Sequence, residues 1–156
     1  HDFILIDSPA GIEQGFRSPT VPADEVLVVT NPEVAAVRDA DRVVGLLEAE
    51  EKSPIRLIIN RVRPEMVQRG EMLDVPDVLE LLAIDLIGII PEEPAILVST
   101  NRGRPLAFSV DSSLAGQAFH NIARRLRGED VPFLPLREPG MLQRLFRFMR
   151  SGGDEP

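Results

Sequence analysis

The sequence predicts an α/β fold built on a mainly parallel, doubly wound sheet. Two observations carry that expectation. Four short apolar runs, Phe3–Ile6, Val26–Val29, Ile55–Ile59 and Leu86–Ile90, are rich in Val, Ile and Leu without polar alternation. Central strands covered on both faces have that composition. Helical patterns separate several of the runs, and strands alternating with helices build parallel sheets through βα units.

The first run lies at the start of the chain, in His1-Asp2-Phe3-Ile4-Leu5-Ile6-Asp7. Chain ends usually lie exposed at the surface. A buried strand here therefore reads either as a first strand at a sheet edge or as the opening of a C-terminal piece of a larger domain. After Val26–Val29 comes Thr30-Asn31-Pro32-Glu33, a helix start signal with Asn31 as N-cap and Pro32 at the first helical position. The helix runs to about Glu50, with Ala36, Val37, Ala40, Val43, Val44 and Leu47 on one arc. Arg38, Asp39, Asp41, Arg42 and Glu48 fall on the other. A second helix is expected over Val75–Ala83, capped by Asp74. A third is expected over Ser113–Arg127, capped within Asp111-Ser112-Ser113, burying Leu114, Ala118, Phe119, Ile122 and Leu126 and ending near Gly128. His120 falls on its polar face, and the Arg124, Arg125 and Arg127 cluster reads as compensation of the helix dipole.

Composition narrows the function classes. The chain has 156 residues, 44% apolar and 27% charged, with a formal net charge of −8. With no Cys and two His, thiolate chemistry is excluded and a histidine metal cluster is hard to build. No apolar run approaches the roughly 20 residues that a membrane span needs. The expected compartment is the cytoplasm. The acidic balance speaks against general nucleic-acid binding.

In a doubly wound sheet, ligands gather at the carboxyl ends of the strands. That directs attention to the loops Asp7–Gly15, Thr30–Glu33, Asn60–Pro64 and Pro91–Pro94. An Asp ending an apolar strand, as Asp7 does, is the Walker B arrangement, placed to hold Mg²⁺ directly or through water. Gly11, four residues on, lets the backbone approach a γ-phosphate.

Several strings extend this pattern: DSPAGIE, ADEVLVVTNPEVAAVRDADRVVGLL, LIINRVRPEMVQRGEMLDVPDVLELLAIDLIGIIPEE and STNRGRP. Together they resemble the C-terminal portion of the MinD family, septum site-determining ATPases of the deviant-Walker-A P-loop class shared with ParA. The resemblance runs from Asp2 through the C-terminal segment. It implies a sheet of P-loop NTPase type that is incomplete, because the single lysine, Lys52, follows Glu51 with no glycine-rich run before it. It also favours the C-terminal-piece reading of the opening strand. The resemblance implies ATP and Mg²⁺ as cofactors, with Asp7 on Mg²⁺ through water and Gly11 responding to the γ-phosphate. It further implies that Asn60 hydrogen-bonds adenine through its side-chain amide, which offers both donor and acceptor. By the same resemblance, Pro91 and Glu92 are expected to line the base by backbone contact. It also implies that Arg38, Asp39, Asp41 and Arg42 help form the surface where MinC and MinE-like regulators compete for an ATP-bound homodimer.

The C-terminal end has its own chemistry. Pro132, Pro135 and Pro139 punctuate an expected linker over 132–139, after an ATPase portion over 1–131. In an expected helix over 140–151, Met141, Leu142, Leu145, Phe146, Phe148 and Met149 occupy one arc of about 160°. Arg144, Arg147 and Arg150 lie opposite, and residues 152–156 form a tail. An apolar face opposite an all-cationic one suits a helix lying on an anionic membrane, with roughly 1 kcal/mol from each Arg near the surface. Family members end in a similar membrane-targeting helix, so peripheral attachment to the inner face of the cell membrane is expected. Two copies on one dimer gain about 10²–10⁴ in avidity. Two further readings stand beside this one: a ParA-type DNA-partition ATPase, and an adaptor module that keeps the sheet without the catalysis.

Overall fold

A computed structural model of the chain describes residues 2–8, 20–108 and 113–136. Gly11 and the whole of 137–156, with the expected membrane helix, lie outside these described residues.

Three parallel strands, β1 (Val26–Thr30), β2 (Ile55–Val62) and β3 (Asp85–Pro91), hydrogen-bond in the order β1-β2-β3. Between β1 and β2 runs helix α1 (Val34–Ala49). Two helices, α2 (Pro64–Gln68) and α3 (Val75–Leu82), lie between β2 and β3. After β3 come α4 (Pro94–Asn101), a 3₁₀ turn over Leu106–Phe108, and α5 (Leu114–Leu126).

Both faces of the sheet are covered, as the unbroken apolar runs predict. On one face Leu57 and Ile59 pack with Val37, Val44 and Leu47 of α1 and with Val78 and Leu82 of α3. On the other, Ile58 packs with Ile87 and Ile90 of β3 and with Ala115, Ala118 and Ile122 of α5. Consecutive β2 residues thus enter opposite cores, which explains why the run shows no polar alternation. Gly88 marks the closest approach of α5 to the sheet: a Cβ there would overlap Cγ1 and Cδ1 of Ile122.

Three expectations need correction. Phe3–Ile6 is no buried strand: the residues form no ladder, and Ile4 and Leu5 are 81% and 82% exposed. A central strand needs a hydrogen-bonded neighbour to satisfy its backbone, and among the described residues no strand flanks this segment. Helix α1 begins later than Asn31-Pro32 predicts, with Glu33 at the N-cap. Pro32 is instead fully buried, and its carbonyl accepts from the Leu73 N–H at 3.2 Å. That contact with the loop before α3 holds Pro32 outside the helix. Phe119 stands 36% exposed, while Ala115 and Gly116 are buried in its place. Small residues on that face let α5 sit close to β3.

The other helix signals hold. Asp74 and Asp77 form a reciprocal capping box at α3, and Ser113 Oγ accepts from the Gly116 N–H at 2.8 Å at the start of α5.

Arg125 does more than offset a helix dipole. Its guanidinium donates to the carbonyls of Ile87 (2.9 Å), Val131 (3.0 Å) and Pro132 (3.0 Å), and it lies 4.1 Å from the centre of the Phe133 ring. Burial lowers its pKa, and the charge of Asp130 works against that shift. The clamp draws 131–136 onto the body: Leu134 packs with the α5-side core and Leu136 with the α1/α3-side core. The stretch expected as a linker from 132 is therefore packed through Leu136, and it passes from one layer to the other.

Candidate nucleotide site

The loops after β2 and β3 meet at the carboxyl end of the sheet. The register pairs Ile59 with Ile89 but Val62 with Pro91, so β2 carries one more residue than β3 across that interval. Such an inserted residue is a β-bulge, which bends the strand and re-aims side chains. Arg61, in the bulge, takes φ 57°, a left-handed conformation that costs a non-glycine residue about 1 kcal/mol or more. The Asn60 amide oxygen holds the bulge by accepting from the Arg61 N–H at 3.0 Å. That leaves the Asn60 NH₂ group and one oxygen lone pair for a ligand.

Glu92 ties the two loops together. Its N–H donates to the Val62 carbonyl at 2.9 Å, continuing the ladder beyond buried Pro91. Its carboxylate accepts from Arg61 Nε and Nη2, at 3.2 and 2.8 Å, and from Arg63 Nε. Those donors hold the Glu92 carboxyl well below its usual range, at about 2, with the Arg63 hydrogen bond the largest cause. The folded-state pKa is depressed, so the contribution to stability is complete above about pH 4.5 and is lost as pH falls towards 2. In Glu92→Gln, the acid-side fall of the urea midpoint across that window is expected to flatten. An unchanged profile would show that the carboxylate contributes nothing there. Arg61 and Arg63 enclose the Glu92 carboxylate, and the charges of Glu65 and Glu33 also act on Arg63, so the arginines here are ion-paired and carry no net positive excess.

The neighbouring Glu93 secures the far side. Its carboxylate accepts from the Leu114 and Ala115 N–H groups at 3.1 and 3.3 Å, fixing the β3–α4 loop to the start of α5. The sequence alone gives Glu92 and Glu93 no such roles. Two consecutive glutamates after a strand look interchangeable until the arginines and the helix start are in place.

The structure thus brings Asn60, Pro91 and Glu92 to one corner. It does not bring Asp7 there through the sheet, since residues 2–8 pair with no described strand and Asp7 is exposed. Among the described residues, no three His, Cys, Asp or Glu side chains converge on a possible metal position. A lone carboxylate such as Asp7 fits the water-mediated hold on Mg²⁺, not a full protein cage. Arg38, Asp39, Asp41 and Arg42 are exposed on α1, where Arg42 and Asp39 pair at 3.2 Å. They face away from the core that Val37, Ala40, Val44 and Leu47 enter. Among the described residues, no helix is long and apolar enough to cross a membrane.

No protein-family model matches the chain. The septum site-determining protein MinD of Synechocystis is 59% identical over 133 residues, covering 85% of this chain and 50% of the relative. The putative septum site-determining protein MinD of Guillardia theta is 54% identical over 150 residues, covering 95% and 56%. Among solved structures, the MinD cell division protein of Aquifex aeolicus superposes with a TM-score of 0.82 at 51% identity, covering 86% of this chain and 56% of that one. MinD of the same organism in its complex with MinC gives 0.83 at 50% identity, over 86% and 55%. A ParA family ATPase from Chlorobium tepidum, 17% identical with a TM-score of 0.60 over 76% and 47%, shares the fold. The chain spans about half the length of the curated relatives it matches. With identity at this level spread over most of its residues, the chain belongs to the MinD family of septum site-determining proteins.

Proposed function

We propose that this chain forms the adenine-binding and partner-binding part of an ATPase that positions the division septum. The observation that carries the reading is the corner joining Asn60, Pro91 and Glu92. A polar amide stands beside an ion-paired loop at the carboxyl end of a parallel sheet, where such folds bind nucleotides. A MinD structure from Pyrococcus horikoshii was solved with Mg-ADP and shares 29% identity with this chain at a TM-score of 0.69.

In this reading the Asn60 amide recognises the base, and the backbone of Pro91 and Glu92 lines it. Arg61 and Arg63 hold Glu92 so that both loops keep one geometry before the ligand arrives. Asp7 positions Mg²⁺ through water, and Gly11 lets the backbone answer to the γ-phosphate. Magnesium supplies charge neutralisation on the phosphates when bound. The α1 surface of Arg38, Asp39, Asp41 and Arg42 docks MinC and MinE-like regulators, where mixed charges set orientation. The tail segment containing Met141, Leu142, Arg144, Leu145, Phe146, Arg147, Phe148 and Met149 attaches the ATP-bound homodimer to anionic lipid.

The test uses the protein that carries this chain, sedimented with anionic vesicles and purified MinC in ATP or ADP. ATP-dependent recovery of both proteins with the vesicles is expected. Arg38→Glu/Arg42→Glu is expected to lose MinC and keep the vesicles, and removal of 140–156 to lose both. Equal recovery in ATP and ADP would overturn the reading. Retention on duplex DNA in place of vesicles would favour a partition ATPase.

A further inference from the structure

Beside the candidate nucleotide corner, the start of α1 and the loop between α2 and α3 enclose a cavity of about 380 Å³. Its floor is apolar. Val67 and Leu73 line it and also pack against the α1/α3-side core. Val34 stands at its mouth with 54% of its surface exposed. Its rim is acidic, with Glu33, Glu71, Asp74 and Asp77, and no basic residue lines it. Glu71 is paired with Arg69 at 2.8 Å, so the rim retains an excess of about three negative charges.

We propose that this groove is the resting dock of the chain's own cationic tail segment, residues 141–150. Three observations select that occupant over others. The described chain stops at Leu136, and Leu136 packs against the same core cluster as Val67 and Leu73, on the groove's side of the sheet. Four residues, 137–140, then separate Leu136 from Met141, five steps that span up to about 18 Å when extended. The segment that follows pairs an apolar arc, Met141, Leu145 and Phe148 among it, with Arg144, Arg147 and Arg150, and contains no acid. An apolar floor with an acidic rim is complementary to that segment in both respects.

Docking and membrane binding use the same apolar arc, so they exclude each other. A docked tail is unavailable to lipid, and apparent vesicle affinity falls in proportion to the undocked fraction. This inference rests on the proposed role of the tail as the lipid-binding element, but docking itself can be measured without lipid.

The chain contains no Cys, so two introduced thiols report unambiguously. Val34→Cys places one at the groove mouth. Gln143→Cys places the other on the tail without touching its apolar arc. In the full chain without vesicles, a short bismaleimide is expected to link the two within one molecule. Adding vesicles of anionic phospholipid, or introducing Arg144→Glu/Arg147→Glu, is expected to suppress the link. In the Cys-free chain, Glu33→Gln/Glu71→Gln, which introduces no new cation, is expected to bind the same vesicles about fivefold more tightly, and to lose that gain when 140–156 are removed. These two sites spare the Asp74–Asp77 capping box, and circular dichroism verifies the fold. Links formed only between molecules would overturn the proposal in favour of a second copy as occupant. Absence of any link, with vesicle binding intact, would overturn docking and leave the membrane reading standing. Failure of every variant to bind vesicles would remove the membrane reading, while cross-linking would still decide docking.

Discussion

Leu57→Ala is expected to destabilise the fold by about 2–5 kcal/mol, read as a lower denaturant midpoint at constant slope. Leu57 is fully buried in β2, between α1 and α3, with β1 and β3 hydrogen-bonded on either side. Neighbours so tightly constrained cannot collapse into the space left behind, which places the cost in the upper part of that range. The matching control is Leu97→Ala, at a position 66% exposed on α4. It is expected to stay within about 0.5 kcal/mol. Equal effects at the two sites would show that β2 does not form the centre of the core.

Arg125→Ala is expected to cost about 2–4 kcal/mol, because three carbonyls lose a charged donor at once. The loss concentrates on the segment after α5, so limited proteolysis is expected to cut within 131–136 in the variant before any other described region. Arg125→Lys separates geometry from charge. An ammonium keeps the charge but lacks the planar fork, so it is expected to restore less than half of the loss. Full rescue by Lys would mean that the charge, not the fork, holds the segment.

Much of this fold is legible in the sequence. The three strands described here stand out because each is apolar on both faces, and α3 and α5 because Asp74 and Ser113 act as caps. What the sequence conceals has physical causes. Helix α4 has apolar residues all round, with Leu97 and Val98 exposed, so no 3.6-residue period betrays it. Helix α2 spans five residues, too few to show any period. Asn31-Pro32 imitates a helix start, but burial of Pro32 against the loop before α3 outweighs the local signal. At the candidate site, Asn60 and Pro91 are visible through strand ends. The Glu92 clamp is not, because its partners lie about thirty positions away in the chain.

The packed segment 131–136 gives the sheet a direction of growth. Beside β3, a strap containing Pro132 and Pro135 lacks two of the N–H groups that a further ladder would need, and Arg125 already occupies the Ile87 carbonyl. Beside β1, where Val29 is 57% exposed, the last described strand keeps one flank unpaired. Among the described residues, the β3 edge is therefore obstructed and the β1 edge open to a further strand. The sheet has one blocked flank and one receptive flank.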